Sequence, residues 1–345
     1  MGGGWDILAA AVVAAQAEVA AAAPDGATAI EGEAYVIRVL TACLNDAFLG
    51  HLLSHDGLGR VLPVRGAPNP DYLMQHAAID ASRRYRIEGR LNDSERVGVG
   101  LYAFGAGGAA EVSDYAVFEA STAGPDGYFA LDIAADAAGA GALTIHPDAR
   151  VLLVRTLHRD ALGVPARLTL AGGPPPKDMT LAQGSTEAAL GQVARAMLNS
   201  VRQFLEWSRV ASSIANGFLS ETPDMAQGVQ GEPDTTYFLG SYDLPEGGWL
   251  EILMPARMTG YWSLHVYNHW CEALPGAGVH DRSAVRDPNG GVRITLGPAL
   301  GATLPNRIDT LGRRRGVLVC RFLGSRGTTV PLTRLHAPGE IQETM

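Results

Sequence analysis

The sequence predicts a mainly β protein: an antiparallel β-sandwich or jelly-roll-like fold with a helical lead-in and a central helix. Three observations carry this. Many short segments of alternating character are separated by Gly, Asp and Pro turn signals, the pattern of sandwiches and jelly rolls. An alanine-rich stretch and a second apolar stripe of helical period fill the first 54 residues. A third helical stripe follows Pro174-Pro175-Pro176, between two β-rich blocks.

In chain order, residues 1–62 form an N-terminal helical segment. Ile7 to Ala23 reads as an alanine-rich helix ended by Pro24-Asp25-Gly26. Residues 31–54 carry Tyr35, Val39, Leu40, Ala42, Cys43, Phe48 and Leu49 near the helical period, and end near His55-Asp56-Gly57. Residues 63–173 form a first β block, with strands expected at 72–79, 84–89, 97–104, 128–133, 151–156 and 167–170. Residues 174–232 are a helical connection. Its helix spans about Thr186 to Val210, with Ser185 or Thr186 as cap and Leu190, Val193, Met197, Val201, Phe204 and Leu205 on one side. Residues 233–345 form the C-terminal β block, with strands expected at 237–242, 250–254, 261–270, 292–296 and 317–323. No internal repeat is evident, and the two blocks read equally well as one sandwich or two.

The 345 residues are 47% apolar and 18% charged, enough to bury a sizeable core. A net charge of -9 gives no electrostatic reason to expect nucleic acid or an anionic membrane as partner. Cys43, Cys271 and Cys320 stand far apart, which argues against a disulfide framework or a cysteine zinc site and fits a reducing cytoplasm. The first six residues hold no Lys or Arg, and Gln16 and Glu18 interrupt the apolar run. A signal peptide or membrane span is therefore not expected, and the chain is expected in the cytoplasm.

The candidate site centres on Tyr261 to Trp270. Read as a strand, one face carries Tyr261, Ser263, His265, Tyr267 and His269; the other carries Trp262, Leu264, Val266, Asn268 and Trp270. The first face has more titratable and aromatic groups than a solvent face needs, and reads as the floor of a pocket. Histidine titrates near neutrality, so His265 and His269 are the candidate base and acid, with Tyr267 beside them. Their separation of about 13 Å along a strand is too long for one metal ion. No metal is expected. Asn69-Pro70-Asp71 is a turn leading into Tyr72, whose strand face also holds Met74, His76 and Asp80. Arg313-Arg314-Arg315 reads as a solvated turn or an anion receiver, and Asp309 as a partner for one of these arginines. His51 and His55 stand at helical ligand spacing and read as a surface pair. Gly105 to Gly108 reads as a hairpin tip. The G-x-S-x-G, Walker A and H-E-x-x-H patterns are absent.

Asn69-Pro70-Asp71, Tyr85-x-Ile87-x-Gly89, Tyr261-Trp262 with Tyr267-Asn268-x-Trp270-x-Glu272, and Pro305-Asn306-x-x-Asp309-Thr310 together resemble the domain-of-unknown-function 1214 family. The likeness runs from about residue 31 to residue 335, without the 1254-type domain often joined to that family. The resemblance implies a jelly-roll-like fold and a bacterial origin, and no settled activity. His265, His269, Arg307 and Arg313 depart from the family's usual residues.

The residues together suggest a cofactor-independent enzyme, a lyase more than a hydrolase, acting by His/Tyr acid–base chemistry on a small hydrophobic or aromatic molecule. Tyr261, His76, Tyr72, Asn69, Asn268, Asn306, Asp309 and Arg313 are the candidate substrate-binding residues. The alternative is a non-catalytic small-molecule binding or assembly protein, in which the aromatic row could also join copies of the chain as a homo-oligomer.

Overall fold

The computed structural model describes residues 3–49, 56–60, 66–104, 110–172, 185–219, 231–255, 258, 260–298, 304–324 and 329–338. The helical lead-in is α1 (Gly4–Ala22) and α2 (Gly26–Leu44), followed by a π-helical turn, Asn45–Leu49; the central helix is α3 (Ser185–Ala211). Asp25 caps α2, its carboxylate accepting the Thr28 N–H at 2.8 Å. Leu8, Ala11, Ala15 and Val19 of α1 pack with Tyr35, Val36 and Val39 of α2 and with Leu190, Val193, Met197 and Val201 of α3. α1 is long and apolar enough to cross a membrane by composition alone, and it leaves Trp5, Ile7 and Val13 exposed.

The first β block contains β1 (Gly59–Arg60), β2 (Tyr72–Ala78), β3 (Tyr85–Arg90), β4 (Arg96–Phe104), β5 (Ala110–Glu119), β6 (Tyr128–Ala134), β7 (Ala142–Thr144), β8 (Ala149–Leu157) and β9 (Arg167–Ala171). The second contains β10 (Gly217–Phe218), β11 (Thr235–Asp243), β12 (Trp249–Leu253), β13 (Trp262–Tyr267), β14 (Ala273–His280), β15 (Arg293–Gly297), β16 (Arg307–Asp309), β17 (Arg315–Leu323) and β18 (Leu332–His336). The pairing is antiparallel except for β6 with β7 and β15 with β16.

Each block forms its own two-sheet sandwich. The first has a five-stranded sheet, β1-β2-β8-β4-β5, over a four-stranded one, β7-β6-β3-β9. Val97, Val99, Leu152 and Val154 from the former meet Ile87, Leu131, Ile133 and Leu168 from the latter. The second repeats the arrangement strand for strand: β10-β11-β17-β13-β14 over β16-β15-β12-β18. Trp262, Leu264, Val266 and Cys320 meet Leu250, Ile252, Ile294 and Leu296 there. The chain is therefore a structural duplication of nine strands, correcting the expectation that it holds no internal repeat.

The helices seal one flank. Glu272 takes a two-pronged contact from Arg38, at 2.5 and 2.6 Å. Arg313 pairs with Glu31 and Arg315 with Asp25, so α2 is clamped onto the second sandwich. Trp270 stacks on Tyr35, ring centroids 5.8 Å apart, and its indole N–H donates to Thr28 O at 3.1 Å. The candidate strand is thus shorter than expected. It ends at Tyr267, because the Asn268 side chain turns the chain: its oxygen accepts the N–H groups of Trp270 and Glu272, at 3.0 and 2.9 Å. Cys271 then takes a left-handed conformation, φ 58°. Trp262 lies in the sandwich core, but Trp270 belongs to the helical cluster.

Candidate functional site

The five-stranded sheets of the two sandwiches, β9 and α3 line an open-mouthed cavity of about 1270 Å³. Residues alternate along β8: Leu152 and Val154 enter the sandwich core, while Val151, Leu153 and Arg155 line the cavity. On β17, Leu318 and Cys320 enter the core, and Val319 and Arg321 line the cavity. Tyr72, Met74 and His76 of β2 add one wall, Tyr237 and Tyr261 another, and Phe204 and Trp207 of α3 a third. Of the sequence-derived candidates, the structure brings Tyr261, His76, Tyr72 and Asn69 together at this cavity.

The others lie elsewhere. His265 is 4% exposed, and its Nε2 stands 3.6 Å from Asp71 Oδ1, behind the cavity wall. Tyr267 is fully buried; its hydroxyl donates to Pro68 O at 2.7 Å and accepts from Arg321 at 3.0 Å. His269 falls beyond the strand and faces Ser208 of α3, Nδ1 to Oγ 3.3 Å. The expected row of five along one strand face is therefore broken before its last member. Asn268 holds the turn already described. Asn306 pins a loop through Val285 N, Val285 O and Arg293 O. Asp309 pairs with Arg307 at 2.6 Å, not with the arginine triplet. That triplet is no anion receiver: Arg313 and Arg315 hold α2, and Arg314 donates to Leu244 O. His51, His55 and Gly105 to Gly108 lie outside the described residues.

The duplication places the cavity groups in matched pairs. Arg155 is the seventh residue of nine-residue β8, and Arg321 the seventh of nine-residue β17. Arg155 stands between Met74 and Gly98 in the sheet; Arg321 stands between Tyr237 and Ser263. Two turns match as well. The Tyr72 N–H donates to Asn69 O, and the Thr235 N–H to Glu232 O, both at 3.1 Å, around the shared Pro-Asp of 70–71 and 233–234. Each turn reaches the opposite sandwich. Asn69 donates to the Tyr261 hydroxyl at 2.8 Å, and Glu232 accepts from Arg96 at 3.1 Å. The register makes Arg96 the counterpart of Tyr261. A pair of cross-strand glycines also exchanges roles. Gly100 lies opposite Tyr115 on β5, and Gly278 on β14 lies opposite His265, so the ring stands on the edge strand in one sandwich and on the inner strand in the other.

The electrostatics follow from burial. Burial pushes the Tyr261 phenol well above its ordinary value, so it is a neutral donor. Burial alone would raise the Asp71 carboxyl, but its contacts with His265 and Tyr261 hold it below the usual carboxylate range. Tyr261 Oη lies 2.7 Å from Asp71 Oδ2 and 2.9 Å from Ser263 Oγ. Burial pushes His265 and His269 below the ordinary imidazole value, so both are neutral at pH 7. Glu232, 4% exposed, is held by Arg96 and by the hydroxyls of Tyr72 and Tyr115, at 3.1 and 2.8 Å. Cys271 is buried and its thiol pushed up to about 12, which leaves it without nucleophilic character at neutral pH. Among the described residues no three His, Cys, Asp or Glu side chains gather as a metal site.

Sequence reasoning missed Arg155, Arg321 and Glu232. The signal that was present is an arginine that ends an otherwise apolar run in each of two strands, Val151-Leu152-Leu153-Val154-Arg155 and Val317-Leu318-Val319-Cys320-Arg321.

No family model and no curated protein sequence matches the chain. A crystal structure of an uncharacterised protein from Burkholderia cenocepacia is similar over 96% of both chains, with TM-score 0.85 and 22% identity. It has the same fold. The VPA0106 protein from Vibrio parahaemolyticus is similar over 88% of this chain and 97% of its own, with TM-score 0.49 and 13% identity.

Proposed function

We propose that this protein holds one small organic molecule with a largely apolar body in the cavity between its two sandwiches. The observation that carries this reading is the cavity itself, about 1270 Å³, walled by both sandwiches and α3. Ligand sites are concave, mostly apolar, and carry a few convergent polar groups. Met74, Leu153, Val319, Phe204 and Trp207 supply the apolar walls, and Tyr72, Tyr237 and Tyr261 supply flat amphipathic ones. The test uses the neutral fluorescent probe N-phenyl-1-naphthylamine. Wild-type protein should take it up at one saturable site, and Met74→Trp and Val319→Trp, which narrow the cavity from two walls, should each weaken uptake several-fold while remaining folded. Uptake that is absent, or that is unchanged in both folded variants, sinks the proposal.

A second reading, a cofactor-independent lyase, has its own supporting observation. Tyr261 lines the cavity and its hydroxyl bonds Asp71, which His265 approaches from behind. A neutral phenol backed by a carboxylate and an imidazole can pass a proton to or from a bound molecule. Tyr261 then takes the acid–base part that the sequence suggests for His265 and His269. Tyr261→Phe should remove turnover of a candidate substrate while leaving its binding intact; turnover unchanged by Tyr261→Phe excludes this second reading.

A further inference from the structure

We propose that Arg155 and Arg321 together form an anion receptor, so that the cavity's ligand is an organic acid: an apolar body carrying a carboxylate. This rests on the cavity being a ligand site. The two guanidiniums are the matched residues of the duplicated strands, 5% and 6% exposed, and both line the cavity.

Their surroundings set them apart from other buried arginines. Arg96 pairs with Glu119 and Glu232, and Arg159 with Glu95 and Asp281, all within 3.1 Å. Those four carboxylates answer the desolvation cost of burying a cation. Arg155 and Arg321 have no carboxylate within 4.0 Å among the described residues. Arg155 donates to the Tyr102 hydroxyl at 2.7 Å, and its second terminal nitrogen, Nη2, is buried with no hydrogen-bond partner. Arg321 donates to the Tyr267 hydroxyl at 3.0 Å and to Ala67 O at 2.7 Å. Burial keeps these tyrosines neutral, so none answers the charge. Glu232 lines the same cavity and favours the Arg155 charge through space, but it makes no contact with Arg155, and its oxygens are taken by Arg96, Tyr72 and Tyr115.

The two guanidiniums also share a neighbour. Both lie close enough to Tyr237 to act on its phenol, and Arg321 sits 5.9 Å from that ring's centroid. Tyr237 itself faces the cavity. A guanidinium presents a planar fork that fits a carboxylate in two-pronged fashion. The apolar walls described above then take the body of the acid.

The experiment is calorimetric titration with two matched pairs: 2-naphthoate against 2-naphthamide, and octanoate against octanamide. Each amide keeps the shape and loses the charge. Wild-type protein should bind at least one carboxylate about tenfold or more tighter than its amide. In Arg155→Met and Arg321→Met that preference should collapse toward one, with amide affinity retained. Tm of the unliganded variants should change little, because the lost hydrogen bonds to Tyr102, Tyr267 and Ala67 O are offset by removing a buried cation that no carboxylate contacts. Should either Met variant fail to fold, Arg→Lys at that position is the replacement, and it should weaken the carboxylate alone. Amides binding as tightly as carboxylates would overturn the receptor and leave the cavity reading standing. If no member of either pair binds, and N-phenyl-1-naphthylamine is also refused, the cavity reading falls and the receptor with it. If the probe binds but neither carboxylate does, the receptor alone is overturned.

Discussion

Tyr102 and Tyr267 occupy the same place in the two sandwiches, and each phenol accepts a hydrogen bond from the matching buried arginine, at 2.7 and 3.0 Å. Tyr102 lies opposite Val151 and Tyr267 opposite Val317, the matched residues four places before those arginines. Each phenol also donates to the turn from the other half, Tyr102 to Gly231 O at 3.4 Å and Tyr267 to Pro68 O at 2.7 Å.

Tyr102→Phe and Tyr267→Phe should therefore destabilise the protein in parallel. Each removes the acceptor of a buried charged donor, a loss of about 1–3 kcal/mol. The Tyr267 variant should lose more, because its bond to Pro68 is the shorter. Urea unfolding of both variants checks this; a stable Tyr267→Phe would show that its hydroxyl has no structural weight.

The exchanged glycines make a sharper test. A Cβ on Gly278 would overlap the His265 ring. Gly278→Ala should cost about 1–3 kcal/mol through overpacking. Combining it with His265→Ala should recover part of that loss, since the obstructing ring is gone, giving a coupling between the two sites. Strictly additive stabilities across this cycle would refute the contact.

Acid should weaken the fold through its buried imidazoles. Burial pushes His265, His269 and His280 below the ordinary value, so the unfolded chain binds protons that the folded chain refuses. Stability then rises with pH. It is complete above the ordinary imidazole value of about 6.5 and is lost as pH falls below it. Asp71, also held low, adds its loss only below the ordinary carboxylate range. Tm should fall between pH 7.5 and 5, and His265→Gln should flatten that fall. An equally steep profile in the variant would mean that His265 takes up its proton in the folded state.

Strands whose two faces differ, such as β3 with Tyr85, Ile87 and Gly89 buried and their neighbours exposed, were legible in the sequence. Two of the missed strands are edges. β14 contains Leu274-Pro275-Gly276, which reads as a turn yet is tolerated where one side needs no partner. β5 carries only partial burial along most of its length, so no apolar face announces it. The duplication was hidden because core positions exchange freely among apolar residues, as Val99 with Leu264 and Val154 with Cys320. Val-Leu, the arginine and the closing leucine of β8 and β17, the Tyr102–Tyr267 pair and the Pro-Asp turn are the identities that survive between these matched segments. Four cavity residues were legible from the Asn-Pro-Asp-Tyr turn and the Tyr261 strand. The arginines were not, because facing direction depends on which sheet covers which side of a strand buried on both.

The two reaching turns have a consequence for how the halves belong together. Ala67 N donates to Cys271 O at 2.6 Å, and the Asn69 and Glu232 turns each lie against the sandwich that the other turn begins. The chain is thus built like a dimer with exchanged arms whose subunits have been fused. Neither half completes its own side of the seam, and fusion keeps the missing arm at an effective concentration of about millimolar or above. Such a tether frees the two copies to diverge, since neither must match a twin of itself: a glutamate can arise where the other arm keeps asparagine, and an arginine where the other sheet keeps tyrosine.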